Sequence, residues 1–202
     1  MKKMAAAAMA LMVFATSSAH AAVLQLSTSA TDPNAGNSLS LNLNETGSMF
    51  VWVSTRGDQT IVGISMNIES SDLDVLQGTD HSTQNPSGRW AATPDEGTLG
   101  DLVTDAEAFS LPGINGDGIN TADENTFVLH SEIQFEATSI GSTDLQITRG
   151  GNNIADGDGD IPDSDLTLGG GIVNVTAVPE PGSLGIVGIG LVASFVRRRR
   201  KA

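Results

Sequence analysis

Two stretches of this chain alternate apolar and polar residues too regularly to be helices. In residues 60–70, Val62, Ile64, Met66 and Ile68 alternate with Gly63, Ser65, Asn67 and Glu69. In residues 126–137, Phe127, Leu129, Ile133, Phe135 and Ala137 alternate with Val128, His130, Glu132, Gln134 and Glu136. Successive side chains of a strand point to opposite faces, so a period of two sends one set into a core and leaves the other in water. Shorter candidates lie at 23–27, 38–43, 50–54, 73–76, 144–148, 166–168 and 172–176. NLNETG at 42–47 and STRGDQ at 54–59 read as turns between them. No stretch of the body has helical periodicity with caps. Several short strands joined by Gly- and Asn-rich turns predict an all-β chain folded as a single β-sandwich. Residues 77–125 are long, polar and broken by Gly and Pro, and are expected to form loops with short strands.

The two ends follow other rules. Lys2 and Lys3 precede an apolar run at 4–14, and Ala19-His20-Ala21 is a small-x-small cleavage site. Charge, apolar run and cleavage site in that order are the pattern of a secretory signal peptide over residues 1–21, leaving a mature chain that starts at about Ala22. At the other end, residues 182–196 form fifteen residues without charge, followed by Arg197, Arg198, Arg199, Arg200 and Lys201. As a helix, at ~1.5 Å per residue, the run would span about 22 Å against a hydrocarbon core of about 30 Å. It is a short membrane segment, which snorkelling arginines can lengthen. The positive-inside rule keeps the basic block cytoplasmic, so Pro179-Glu180-Pro181 sits just outside the inner membrane.

Charge is divided accordingly. The formal net charge is −14, yet half of the ten Lys and Arg lie in the last six residues. Between the ends, Arg56, Arg89 and Arg149 face 23 acidic residues, which leaves the middle at −20. Such a body repels phosphates, and nucleic acid is excluded as a partner. The body of about 156 residues, 22–177, is long enough for one domain with a real core. With no cysteine it must rely on that core or on bound ions rather than on disulfides.

Val178-Pro179-Glu180-Pro181, the Gly-rich apolar segment and the terminal Arg cluster together resemble the PEP-CTERM sorting signal of Gram-negative bacteria. The resemblance covers residues 178–202. It implies recognition of Pro179, Glu180 and Pro181 by an exosortase, with Arg197, Arg198, Arg199 and Arg200 as the basic stop. It also implies transient anchoring in the inner membrane, then delivery to the cell surface or extracellular matrix.

A second resemblance lies in the body. FVWVSTRGDQTIVGISMNIESSDLDVL at 50–76 looks like the central strands of cohesin-like domains, and HSEIQFEATSIGSTDLQI at 130–147 is similar to a later hairpin of that fold. The resemblance implies a jelly-roll or immunoglobulin-like sandwich of about nine strands, related to carbohydrate-binding modules.

Candidate site residues are few. DGDGDIPDSD presents Asp156, Asp158, Asp160, Asp163 and Asp165 in a Gly-flexible loop, a donor set that suits Ca²⁺. Five clustered carboxylates repel one another unless neutralised. The segment departs from an EF-hand loop, since no Gly follows Asp160 and Thr167 occupies the twelfth position. Trp52 alternates with Phe50 within a strand and is expected in or beside the core. Trp90, next to Arg89 in PSGRWAAT, is the better candidate for exposure and so for carbohydrate binding. His130 is expected on the wet face of its strand and His81 in a polar loop. No spacing of Ser, His and acid marks a catalytic centre, and no catalytic residue is assigned.

These readings converge on a secreted, non-catalytic surface or matrix protein. It is expected to act as an adhesion or structural module of cohesin-like fold that binds a surface protein. The alternative is a carbohydrate-binding module attached to exopolysaccharide, and a hydrolase ranks last.

Overall fold

The alternating stretches become two packed sheets in the computed structural model of the protein, which describes residues 22–55, 57, 59–100, 102–110, 116–123 and 125–178. In chain order the strands are β1 (Ala22–Ser27), β2 (Ser38–Asn42), β3 (Thr46–Ser54), β4 (Ile61–Ser70), β5 (Leu76–Thr83) and β6 (Thr98–Leu99). They continue with β7 (Val103–Phe109), β8 (Val128–Ala137), β9 (Gly141–Asp156), β10 (Gly159–Asp160), β11 (Leu166–Leu168) and β12 (Gly170–Thr176). Two 3₁₀ turns, Pro86–Gly88 and Asp163–Asp165, are the helical pieces among the described residues. The all-β expectation holds. The count rises from about nine to twelve because β6, β10 and β11 are ladders of only two or three residues.

The first sheet has five strands in the order β11-β1-β3-β8-β5. The second has seven, in the order β2-β12-β9-β4-β7-β6 with β10 added beside β9. Most pairs are antiparallel, but β1 runs parallel to β11 and β2 parallel to β12. The domain's first two strands are thus laid beside its last two.

The inner faces supply one continuous core. Leu24, Met49, Val51, Ile133 and Phe135 come from the first sheet, and Ile64, Met66, Ile68, Leu145, Ile154 and Val173 from the second. Burying each large apolar side chain contributes about 1.5–3 kcal/mol, which is how a chain without disulfides holds together. Trp52 is buried as expected, and its indole Nε1 donates to the Ser29 carbonyl at 3.0 Å.

Several ladders slip register, and strict alternation fails where they do. On β8, Val51 faces Ser131 and Trp52 faces Leu129, so His130 is an extra residue with no partner on β3. The slip turns His130 inward, and it is 2% exposed. The expected wet-face histidine is therefore a buried one, because alternation fails across an inserted residue. On β4, register shifts bring Ile61 rather than Val62 into the core. His81, expected in a loop, lies in β5 and is buried. β5 is an edge strand with only one covered face, so its sequence is polar enough to be read as a loop.

Candidate functional site

The longest interruption of any ladder lies on β9. Ile64 of β4 faces Ile154, and Met66 faces Arg149, so residues 150–153 stand opposite Ser65 alone. Gly150 makes this possible. A Cβ there would lie 2.2 Å from Ser65 Oγ and 2.9 Å from the Met66 nitrogen. Asn153 completes the turn at φ 64°, in the left-handed region that Asn tolerates better than most residues. β7 answers with its own irregularity. Met66 faces Ala106 and Ile68 faces Val103, which leaves Thr104 and Asp105 opposite Asn67, with Asp105 at φ 53°.

The two bulges are stitched together across β4. The Asp105 nitrogen donates to Asn67 Oδ1 at 2.9 Å, and the Gly151 nitrogen donates to Asp105 Oδ1 at 3.0 Å. Asn67 Nδ2 donates to the Arg149 carbonyl at 3.0 Å and to Thr148 Oγ1 at 3.3 Å. Thr148 Oγ1 in turn donates to Glu69 Oε1 at 2.9 Å. On the other side of the bulge, Asn152 Nδ2 donates to Glu107 Oε1, and the Asn152 nitrogen donates to Ser65 Oγ at 3.2 Å. The result is a fixed polar patch on the outer face of the second sheet, with carboxylates at Glu69, Asp105 and Glu107. Apolar residues mark two corners of that face. Phe109, paired with Gly63 on β4, is 52% exposed, and Ile172, paired with Asp144 on β9, is 41% exposed. Backbone strain and donors already fixed in place make this surface rigid, and rigid surfaces lose little entropy on docking.

The acidic segment folds back beside this patch. Asp156 Oδ1 accepts from the backbone nitrogens of Asp158 and Gly159 at 2.8 and 3.1 Å and so closes its own turn. Asp160 Oδ2 accepts from Asn153 Nδ2 at 2.9 Å. Asp163 Oδ1 accepts from Arg149 Nε at 2.5 Å, and Arg149 Nη2 donates to the Ile161 carbonyl. Asp165 Oδ1 accepts from Ser164 Oγ at 2.9 Å. Among the described residues, no three acidic or histidine side chains converge as a metal site. The expected calcium set of Asp156, Asp158, Asp160, Asp163 and Asp165 is thus spread over a turn, a two-residue ladder and a 3₁₀ turn.

Trp90 does not have the exposure expected of it. It is 2% exposed, with its indole Nε1 donating to the Gln84 carbonyl at 3.2 Å and its backbone nitrogen to Asn85 Oδ1 at 2.8 Å. Its ring meets His130 edge to face, with centroids 5.7 Å apart. A ring packed on both its polar end and its edge is no sugar platform. The residue closes a segment over the flank of the sandwich instead.

Close to Trp90 are buried polar side chains. His81 Nδ1 lies 3.0 Å from the Glu96 carbonyl and 3.2 Å from Glu96 Oε2. Both are acceptors, so Nδ1 carries the proton and Nε2 is a bare acceptor. His81 Nε2, His130 Nδ1 and Ser131 Oγ are buried and find no hydrogen-bond partner among the described residues. Burial lowers the pKa of His81 against the pull of Glu96. Burial, with the positive charges of His81 and Arg89 adding to it, pushes His130 down to about 3.

The sequence missed the bulge patch. Its signal was RGGNN at 149–153, where glycine interrupts an apolar alternation that resumes at Ile154. The sorting residues Pro179, Glu180 and Pro181 and the basic stop Arg197, Arg198, Arg199 and Arg200 lie outside the described residues, as does the signal segment 1–21.

Comparisons with known proteins give two findings. The PEP-CTERM protein-sorting motif matches residues 177–201. The fold is that of cohesin modules. The cohesin module of a Clostridium perfringens ATCC13124 family 33 glycoside hydrolase matches at 11% identity with a TM-score of 0.52, covering 79% of this chain and 99% of that one. A non-cellulosomal cohesin of Archaeoglobus fulgidus matches at 14% identity with a TM-score of 0.51, covering 81% and 96%. A chain of a complex between a CaDoc0917 variant and CaCohA2, the latter from Clostridium acetobutylicum, matches at 13% identity with a TM-score of 0.50, covering 77% and 99%. No curated protein matches the chain in sequence. The chain therefore joins a cohesin-like jelly-roll sandwich to a PEP-CTERM sorting motif.

Proposed function

We propose that this chain is an exported, non-catalytic adhesion module that is sorted to the cell surface and holds a protein partner on the outer face of its second sheet. The observation that carries this reading is the bulge patch. Asn67, Asp105, Glu107, Gly151 and Asn152 are locked by hydrogen bonds into a polar surface with Phe109 and Ile172 at its corners. A sugar-binding reading needs an exposed aromatic platform, and Trp52 and Trp90 are both buried. The uncompensated carboxylates at Glu69, Asp105 and Glu107 favour a partner surface carrying Lys or Arg. The cohesin-like fold supports a binding role, and one of its matches was solved as a complex with a second protein. Sorting rests on the tail. An exosortase would read Pro179, Glu180 and Pro181, with Arg197 to Arg200 holding the segment at the inner membrane until processing, and exopolysaccharide remains the alternative surface partner.

The test uses the protein displayed by its own host. A photocrosslinker is placed at Gln146, and covalent products are compared between wild type and Phe109→Asp. A defined protein adduct that is lost in Phe109→Asp is the expected outcome. Crosslinks to polysaccharide alone, or a protein adduct indifferent to Phe109→Asp, would overturn the assignment of this face.

A further inference from the structure

Residues 84–97 form a strap between β5 and β6, and the strap joins the two sheets by bonds of two kinds. On the side of the second sheet they are backbone bonds. The Ala91 nitrogen donates to the Phe109 carbonyl, and Asp95 and Glu107 exchange both of their backbone bonds, each at 2.8 Å. On the side of the first sheet they depend largely on side chains. The Thr83 nitrogen and Oγ1 donate to Glu96 Oε2 at 2.8 and 3.0 Å, and His81 Nδ1 donates to the Glu96 carbonyl. Arg89 Nη1 donates to the Leu129 carbonyl at 3.2 Å, and the Trp90 ring seats on His130. One backbone bond, Gln84 nitrogen to the His130 carbonyl, completes that side.

We infer that the strap is an acid-operated latch, in which protonation of the His81–His130 pair releases residues 84–97 from the first sheet while the second sheet keeps hold of them. Three observations carry it. Both imidazoles are buried and both touch the strap, His81 through Glu96 and His130 through the Trp90 ring. His81 Nε2 and His130 Nδ1, one ring nitrogen of each imidazole, are buried without a hydrogen-bond partner among the described residues, and exposure to water satisfies both. The groups acting on the pair are unevenly placed. His81 has the carboxylates of Glu96 and Asp80 near it, whereas His130 has only His81 and Arg89, both cationic when charged. A charged His81 is therefore partly tolerated, and a charged His130 is not.

The sign follows from linkage. A histidine held below its ordinary pKa in the closed state favours closing above about pH 6.5 and loses that contribution as pH falls. With His130 at about 3 when closed and about 6.5 when open, acidification from pH 7.5 to 5.0 raises the open population about 30-fold through this residue alone. The opened flank uncovers Trp90 and the edge of the core beneath it. That would give a surface protein an apolar contact available in acid and hidden at neutral pH.

Hydrogen exchange read by mass spectrometry on the full-length chain in detergent tests this, at pH 7.5 and 5.0 and corrected for the intrinsic pH dependence of exchange. Protection of the amides in 84–97 should fall by ten- to thirtyfold at pH 5.0, while β3 and β9 keep theirs. His130→Gln, neutral at both values, should remove most of the difference and leave only the part that comes from His81. Unchanged protection in 84–97, or loss shared equally by all strands, would overturn the latch. So would a His130→Gln chain that keeps the full pH response. If His130→Gln does not fold, the regional pattern in the wild-type chain still decides.

Discussion

Arg149 reaches out of β9 to hold Asp163, its Nε donating to Oδ1 while Nη2 caps the Ile161 carbonyl. One of only three arginines between the charged ends of the chain is thus spent on the acidic segment. An exposed pair of this kind contributes little to stability, about 0–1 kcal/mol. Its effect is on geometry, because it ties the Asp163 carboxylate to β9. Ca²⁺ should accordingly raise the melting temperature no more than NaCl at matched ionic strength, since both act by screening. A millimolar Ca²⁺ effect well above matched NaCl, and lost in Asp158→Asn with Asp160→Asn, would show that the carboxylates converge after all.

Trp90 should behave as a core residue rather than a ligand-binding one. Trp90→Ala should cost about 3–5 kcal/mol in urea denaturation, as for other buried aromatics. Trp90→Phe should cost less, because it keeps a ring against His130 and loses the bond to the Gln84 carbonyl, worth about 1 kcal/mol. A Trp90→Ala domain as stable as wild type would remove the strap's anchor.

Ile64→Asp or Phe135→Asp should prevent folding or cost more than about 4 kcal/mol, because each places an unpaired charge in the shared core. Glu132→Gln, on the same strand as Phe135 but half-buried, should change stability by less than about 0.5 kcal/mol. Circular dichroism with denaturant titration distinguishes the two.

Gly150→Ala should cost about 1–3 kcal/mol through overpacking against β4. The added methyl meets both Ser65 Oγ and the Met66 nitrogen. Adding Ser65→Gly removes the first clash only, so rescue should be partial. Full rescue would mean that the backbone of β4 yields there, and the patch is softer than its hydrogen bonds indicate.

Glu180→Ala in the native host should leave the chain full-length and retained in the membrane fraction. Immunoblots of membrane and surface fractions read this directly. Ordinary cleavage and surface delivery of the variant would show that the triplet is not what the sorting machinery reads.

Where alternation is strict, the sequence announces the fold, and where the fold inserts a residue, it does not. Ile133, Phe135 and Ala137 are buried in phase with one another, as their spacing demands. One bulge earlier on the same strand the phase slips and His130 enters the core. Nothing local marks that slip, because the extra residue is defined by its missing partner on β3, far away in sequence. Trp90 illustrates the same limit. Its neighbours are polar, so exposure was the natural expectation, but its cover comes from β8 and from its own strap. RGGNN was different, since two glycines inside an apolar pattern do mark a bulge. The cohesin-like order of strands was legible only through the spacing at 50–76 and 130–147, two places where the ladders are long.

The parallel pairings of β1 with β11 and β2 with β12 also govern when this domain can finish folding. Among the described residues, β2 has β12 as its only ladder neighbour. A chain emerging amino end first therefore presents a strand that must wait for the final seven-residue strand of the domain. Until Thr176 is free, the second sheet has a vacant rim and β2 has nowhere to lie. If the chain is exported as proposed, the strand order lets it cross as an unfinished polypeptide whose second sheet is completed by its last strand. The timing of assembly is written into the order of the strands.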